Sequence, residues 1–259
     1  MTLSFLILTF TLVYHRSCDF KELSQKQKPY QMKKLRITLL LSLMGITFTN
    51  QAIDRMEGGY AGTKDQGHDE VVYNFLKHFS YEEYRWAYDF QFTSYNNHRV
   101  DAMDITVFAG HGNQWYIATT SGDVDLTTAG TTADKGWGDY NCEFVAFESC
   151  DVVPSPIEVT DWWTNWVKDG ATFDGLHQAL GFRTVSYQST DQDVTDYFGS
   201  CIHAGYAVWQ SWFDAINHEC ESDEMGACVM NPTCEMDTHA VFAADPSASD
   251  QSLRIWYQY

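Results

Sequence analysis

Two side chains capable of nucleophilic chemistry, His111 and Cys150, occur in similar sequence contexts. "DITVFAGHGNQW" (residues 104–115) and "CEFVAFESCDVV" (142–153) are both apolar runs that end at small residues carrying one reactive side chain. A thiolate is a strong nucleophile, and a nearby imidazole can accept the thiol proton or stabilise the resulting ion pair. The residue types therefore predict a His111–Cys150 dyad for acyl transfer.

The apolar runs that precede the two residues predict the elements that position them. Residues 104–109 and 143–149 are short, apolar and rich in β-branched and aromatic residues, which predicts two buried strands. In an open α/β sheet, functional residues lie beyond the carboxyl ends of the strands. If the two strands are parallel neighbours, His111 and Cys150 therefore share one edge of the sheet.

Gly112 and Cys150 are the predicted oxyanion hole. Gly112 follows the histidine directly, and without a side chain its N–H can approach a substrate oxygen closely. Together with the N–H of Cys150, it would stabilise the negative charge that develops during acyl transfer.

Glu148 is the predicted substrate-binding residue. Side chains alternate along a strand, so Glu148 and Cys150 point to the same face. A carboxylate at the end of an apolar strand needs a partner, and an incoming cationic side chain would provide one. The alternative is an internal pairing of Glu148 with Arg183 or with a backbone amide.

The rest of the pattern predicts an α/β fold with a mainly parallel sheet, because strands alternate with helices. The predicted elements are a helical segment at 68–86, a long loop at 113–141, a short helix in "VTDWWTNWVKDG" closed by Gly170, a β-rich segment at 180–187 and two helices within 193–219 separated by Gly205. His177 and the tryptophans at 162, 163 and 166 are expected to pack in the interior rather than to join a site.

Composition excludes several classes of function. The net charge is −19 with only 16 Lys and Arg, so the chain lacks the basic face of a nucleic-acid-binding protein. No phosphate-binding loop, dinucleotide fingerprint or Gly-x-Ser-x-Gly motif is present, and no histidines stand at zinc-finger spacing from the cysteines. The sequence thus predicts neither a cofactor nor a metal. The expected partner is a peptide or protein substrate, or another cationic molecule.

The N-terminal region has the composition of a targeting segment. Residues 32–52, "MKKLRITLLLSLMGITFTNQA", predict a signal peptide with a basic head, an apolar centre and cleavage near Ala52. Residues 1–31 are then an extension upstream of a start at Met32, although a membrane-anchored form is the alternative. The remaining chain, 53–259, is predicted to be one secreted or periplasmic domain without stable membrane insertion.

Six of the seven cysteines lie within 53–259, and three of them fall in the Cys-rich segment 220–234. Export to an oxidising compartment favours disulfides. We therefore expect Cys220, Cys228 and Cys234 to be bonded, with Cys142 or Cys201 as a partner.

The two dyad motifs also resemble a known group. "TVFAGHG" and "FVAFESC" are similar to the histidine and cysteine blocks of the caspase–hemoglobinase-like (clan CD) cysteine peptidases. "FAGHG", "ESCDV" and "GLHQALGFRT" resemble an uncharacterised family of mostly bacterial secreted proteins of that fold, over about residues 70–216. The resemblance implies a three-layer caspase-like sandwich with a mainly parallel central sheet and a thiol peptidase with His111 and Cys150 as its dyad.

The resemblance further implies that Glu148 lines the primary specificity pocket, as an acidic residue does in legumain, clostripain and metacaspases. The expected preference is Arg or Lys on the acyl side of the cleaved bond, with Asn next. Two features depart from the peptidases: "SCDVV" lacks the Gly that often follows the cysteine, and "TDWWTNWVKD" has no counterpart. The alternative function is an inactive secreted binding module on the same scaffold, with Cys150 unreactive.

Overall fold

A seven-stranded sheet organises the part of the chain that the computed structural model describes: residues 57–64, 66–81, 83–127, 136–160, 162–167, 172–239 and 252–259. In chain order the strands are β1 (Glu57–Ala61), β2 (Glu83–Trp86), β3 (Ile105–Ala109), β4 (Tyr116–Ala118), β5 (Asp123–Asp125), β6 (Phe144–Glu148), β7 (Gln178–Phe182), β8 (Gly226–Met230) and β9 (Arg254–Tyr257). The short strands β4 and β5 pair only with each other, and the sheet order is β2-β1-β3-β6-β7-β8-β9.

The sheet is mainly parallel. Strands β2, β1, β3, β6 and β7 run in one direction, whereas β8 is antiparallel to β7 and β9 is antiparallel to β8. Every residue of β1, β3, β6, β7 and β8 is buried. Both faces of these strands are therefore covered, which explains their uninterrupted apolar runs. The predicted α/β fold with a mainly parallel sheet is confirmed.

The two faces of the sheet are covered differently. The helices α1 (His68–Leu76), α2 (Gln188–His203) and α3 (Val208–Glu219) all pack on one face, against alternate strand residues such as Phe144 and Ala146. The other face, which includes Phe147, is covered by loops and by a tryptophan-rich core containing Trp137, Trp162 and Trp166. In the described ranges, the helical layer is thus confined to one side.

The segment 68–86 is helical only in its first half. Helix α1 ends at Leu76, and residues 83–86 form β2, which pairs with β1 at the edge of the sheet. The helical prediction was wrong for this second half because its residues, "EYRW", have good β propensity and a parallel partner that lies elsewhere in the chain.

The predicted loop 113–141 needs correction, because it contains the β4–β5 ribbon; residues 128–135 lie outside the described ranges. The short helix predicted in the tryptophan segment is a 3₁₀ helix at Trp162–Asn165, and Gly170, its predicted end, is outside the described residues. Helices α2 and α3 flank Gly205 as predicted, and Gly205 adopts the left-handed φ of 86° that a glycine permits.

The Cys-rich segment 220–234 is part of the sheet rather than a cross-linked loop. Cys228 lies within β8, buried against the helical face, and Cys234 follows in a short 3₁₀ helix. All six cysteines of the described ranges are free thiols. The expected disulfides are therefore absent from this structure, because burial in separate packing environments, not proximity in sequence, fixes where these sulfurs lie.

The described residues belong to one compact unit, Ala52–Tyr259. None of their helices is long and apolar enough to cross a bilayer. The predicted extension 1–31, the signal peptide 32–52 and its cleavage near Ala52 lie outside the described residues.

Candidate active site

His111 and Cys150 occupy equivalent positions on neighbouring parallel strands. In the register of β3 and β6, Ala109 pairs with Glu148. His111 lies two positions after Ala109, and Cys150 lies two positions after Glu148. Beyond the strands, the N–H of Gly110 donates to the Glu148 carbonyl at 3.1 Å, and the Ser149 hydroxyl donates to the Gly110 carbonyl at 2.7 Å. These bonds continue the pairing and hold the two loops together at the carboxyl edge of the sheet.

Gly112 allows the two loops to touch. A Cβ at this position would lie 2.7 Å from Val152 Cγ2 and 3.3 Å from Ser149 Cβ, so a larger residue would force the loops apart. Within the described part of the chain, neither the N–H of Gly112 nor that of Cys150 donates a hydrogen bond. Both donors are available to a ligand, as an oxyanion hole requires.

The imidazole of His111 is exposed and lies against a second histidine. Its ring meets the ring of His68 edge-on, with centroids 5.6 Å apart and planes at 87°. His68 is the first residue of α1 and is 6% exposed, and its Nδ1 lies 3.1 Å from the Thr63 hydroxyl. The start of α1 therefore supports the orientation of His111, a contact that sequence reasoning missed because it depends on the pairing of β1 with β3.

The Cys150 thiol is half-buried beside the loop that follows β7. Its Sγ lies 3.7 Å from the Ser186 carbonyl oxygen. A surface groove of about 310 Å³ is lined by Gln114 from the histidine loop, Asp151 from the cysteine loop and Val185 from the loop after β7, but not by His111 or Cys150 themselves. An extended peptide laid in this groove would contact all three loops.

Asp151, directly after the nucleophile candidate, has a left-handed backbone. Its φ of 52° makes it the one non-glycine residue with positive φ in the described ranges. A left-handed φ favours glycine, and Asp is among the other side chains that tolerate it best.

Glu148 is buried without a cation. It is 2% exposed, and no N–H or hydroxyl group of the described residues donates to its carboxyl oxygens. Its side-chain partner is another carboxyl, Asp191, with which it can share a proton. Arg183 instead binds Glu158, with Nε 3.0 Å from Oε1, so the alternative pairing of Glu148 with Arg183 is wrong. Like Phe144 and Ala146, Glu148 is directed toward the helical face, where Asp191 in the first turn of α2 approaches it.

The neighbours of Glu148 are acidic. Burial raises the pKa of Glu148 well above 4.5, and the charges of Asp191, Glu224 and Cys150 raise it further. Burial also raises the pKa of Asp191. Glu224 is satisfied by the N–H of Tyr187 at 2.8 Å and by the Thr190 hydroxyl at 2.9 Å. We name Glu148, Asp191 and Glu224 the acidic cluster; sequence spacing gave no sign of its last two members.

Other candidate residues lie away from this edge. Trp162 and Trp166 are buried in the core, with ring centroids 4.9 Å apart, as expected, and Trp163 packs against the same core. His177 is also buried, at 4% exposure, but it directly precedes β7 and so lies at the opposite edge of the sheet from Cys150.

Comparison with known sequences gives a family but no activity. No curated protein matches the chain at a significant level. Residues 53–249, most of the chain, match the model of a domain of unknown function, DUF6345. The chain that carries this His–Cys edge therefore belongs to the DUF6345 family.

Proposed function

We propose that this protein is a secreted cysteine endopeptidase on a three-layer caspase-like scaffold, with His111 and Cys150 as its dyad. The observation that carries the proposal is the register of β3 and β6, which brings an imidazole and a thiol to equivalent positions at the edge of the sheet. Two unused N–H donors accompany them. Together these are the parts that acyl transfer through a thioester requires.

The first half of the reaction forms the acyl enzyme. Cys150 Sγ attacks the carbonyl carbon of the peptide bond as its proton passes to His111. The carbonyl oxygen becomes an oxyanion and accepts hydrogen bonds from the N–H groups of Gly112 and Cys150. His111 then donates the proton to the leaving nitrogen, the C–N bond breaks and a thioester remains on Cys150.

The second half regenerates the enzyme. His111 accepts a proton from water, the hydroxide attacks the thioester carbon, and the same two N–H groups bind the new oxyanion. Collapse breaks the S–C bond and releases a carboxylic acid product, while His111 returns its proton to the sulfur. His68, in contact with the ring of His111, acts as a positioning residue in both halves.

The acidic cluster supports a preference for Arg or Lys on the acyl side of the cleaved bond, with Asn next. A buried carboxyl without a cationic partner is unfavourable unless it stays protonated. A guanidinium or ammonium group that reached Glu148 would supply the missing partner, and the acidic surface would steer it there. Because the carboxyl oxygens are buried, such a side chain must displace part of the loop between β7 and α2.

Hydrolysis of fluorogenic peptides tests the dyad. We expect the wild type to cleave Arg and Lys peptides, Cys150→Ala to fall to background, and His111→Ala to lose about 10²–10⁴-fold in kcat/KM, the usual contribution of an acid–base group. Cys201→Ala, which removes a buried thiol from the last turn of α2, is the control and should remain active. A wild type that cleaves no peptide, yet is folded, would favour the inactive binding module.

The substrate preference has its own test. Glu148→Gln keeps the shape of the side chain but removes its charge, so KM for Arg and Lys peptides should rise while apolar peptides are unaffected. Asp123→Asn removes an exposed charge on β5 and controls for long-range steering. An unchanged preference in Glu148→Gln would exclude Glu148 from the specificity pocket.

A further inference from the structure

A second group of potential ligand atoms lies at the opposite edge of the sheet from the dyad. His177 directly precedes β7, whereas Cys234 and Asp237 follow β8, which is antiparallel to β7. The start of β7 and the end of β8 meet where Gln178 pairs with Met230. The three side chains therefore converge because of strand pairing.

The three side chains present one donor atom each to a common point. An imidazole nitrogen, the Cys234 sulfur and a carboxylate oxygen of Asp237 all lie within 4.8 Å of one another. Zinc bonds of about 2.0–2.3 Å place the ligand atoms of a tetrahedral site about 3–4 Å apart, so small side-chain movements suffice to close this set around an ion.

The contact between His177 and Asp237 is short but leaves the buried imidazole nitrogen without a well-formed hydrogen bond. His177 Nδ1 lies 2.8 Å from Asp237 Oδ2, yet the ring nitrogen makes no hydrogen bond of acceptable geometry and has no contact with solvent. A buried nitrogen of this kind is unfavourable.

The backbone around these residues is held firmly. The Gln178 amide donates to the Cys234 carbonyl at 2.7 Å, and the N–H groups of Cys234 and Asp237 donate to the carbonyls of Asn231 and Cys234. The Asn231 side chain caps the 3₁₀ helix that carries Cys234 by accepting from Thr233. Such outer contacts orient metal ligands before the ion arrives.

We propose that His177, Cys234 and Asp237 form a zinc site, with an open fourth position for water. One nitrogen, one thiolate and one carboxylate suit Zn²⁺, and not Ca²⁺ or Mg²⁺, which prefer all-oxygen sets. Asp237 keeps 28% of its side-chain surface exposed, which leaves a path for the ion and the water. The sequence predicted no metal because these ligands do not follow the spacing of a zinc finger.

Metal titration of the purified full chain, after treatment with a chelator, tests the site. The background is Cys150→Ala, so that Zn²⁺ cannot bind the dyad thiol. We expect one Zn²⁺ per chain, and with Co²⁺ we expect a thiolate-to-cobalt charge-transfer band and the visible bands of a four-coordinate ion. Absence of stoichiometric Zn²⁺, or a Co²⁺ spectrum without the thiolate band, would overturn the proposal.

Substitutions of the proposed zinc ligands, each made in the Cys150→Ala protein, test which residues bind the ion. Cys234→Ser and His177→Gln should each weaken Zn²⁺ binding by at least about tenfold, the lower end of what even outer-shell changes cost. Cys220→Ser and His218→Gln are matched controls and should bind as the background does. Unchanged affinity in both ligand variants would refute the assignment.

If the Cys234 and His177 variants fail to fold, protection of Cys234 by Zn²⁺ from alkylation tests the site without them. In the Cys150→Ala chain, Zn²⁺ should protect Cys234 from alkylation during partial denaturation while leaving Cys220 unprotected. Equal labelling of Cys234 with and without Zn²⁺ would contradict the proposal. Because the background lacks the dyad thiol, these outcomes are independent of peptidase activity.

Discussion

Both edges of the sheet carry a histidine, a cysteine and a carboxylate, yet the two sets differ in every physical respect. At the carboxyl edge, His111 is exposed and Cys150 is half-buried. At the opposite edge, His177 and Cys234 are 4% and 7% exposed. The imidazole and the thiol are thus open at one edge and enclosed at the other. The carboxylates show the opposite order, since Glu148 is 2% exposed and Asp237 keeps 28% of its side-chain surface exposed.

The carboxylates differ in their partners. Asp237 lies against His177, whereas the side-chain partner of Glu148 is another acid, Asp191. A set in which an imidazole, a thiol and a carboxylate contact one another is suited to holding an ion, and a set whose carboxyl has no cationic partner is suited to receiving a cationic ligand. Environment, rather than residue type, separates the two sites.

The largest expected difference is in thiol reactivity. Burial raises the pKa of Cys234 to about 11, so very little thiolate is present near neutral pH. We expect iodoacetamide to alkylate Cys150 at least about 100-fold faster than Cys234 in the native protein, since the thiolate is the reactive form. Time-resolved labelling with mass spectrometry measures both rates in one sample.

His111→Ala should slow labelling of Cys150 and leave Cys234 unaffected. Comparable rates at the two thiols would remove the contrast between the edges and count against Cys150 as a nucleophile.

The carboxylates provide the next comparison. The folded-state pKa of Glu148 is raised, so the native state holds more protons than the unfolded state above pH 4.5, and this residue lowers stability as pH rises. Glu148→Gln cannot ionise, so it should raise the free energy of unfolding near neutral pH by removing the cost of charging a buried carboxyl.

Denaturant unfolding between pH 4 and 8 should show the gain from Glu148→Gln increasing with pH. Asp237→Asn is the matched change at the other edge. It should give no gain, because Asp237 keeps 28% of its side-chain surface exposed and its charge is therefore hydrated. Equal stabilisation by both substitutions would show that the carboxylates are equivalent.

Loop contact at the dyad edge can be tested with Gly112→Ala. The added Cβ meets Val152 Cγ2 at 2.7 Å and the Tyr116 carbonyl oxygen at 3.2 Å, and overpacking of this kind costs about 1–3 kcal/mol. Thermal unfolding measures this loss of stability. Peptidase activity should fall as well, because the Gly112 N–H moves.

The double variant Gly112→Ala, Val152→Ala should recover part of the stability. If Gly112→Ala alone were as stable as the wild type, the two loops would not be in tight contact.

The smallest effect concerns Asp151. Its φ of 52° favours glycine, so Asp151→Gly should stabilise the protein by about 0.5–1 kcal/mol, and Asp151→Ala should destabilise it by a similar amount. Chemical denaturation of the three proteins gives both differences. If Asp151→Gly were the less stable variant, the loop after Cys150 would not depend on the left-handed conformation.

The local sequence pattern predicted where some of the strands lie, but it did not predict which strands pair with one another. The runs that became β3 and β6 were visible, and so were the helices on either side of Gly205, because burial on one or both faces leaves a periodic trace in the sequence. Strand β2 was mistaken for helix and β8 for a disulfide-linked loop, since each depends on pairing with a distant segment.

The candidate site divides in the same way. The sequence by itself determined that His111 and Cys150 each follow a buried strand, and that Gly112 and Glu148 lie next to them. Only the tertiary structure decided that β3 and β6 are neighbours, that His68 contacts His111 and that Asp191 and Glu224 surround Glu148. It also decided that His177, Cys234 and Asp237 meet. Periodicity records which residues are buried, whereas contacts between distant segments arise from the order of strands in the sheet, which no local pattern encodes.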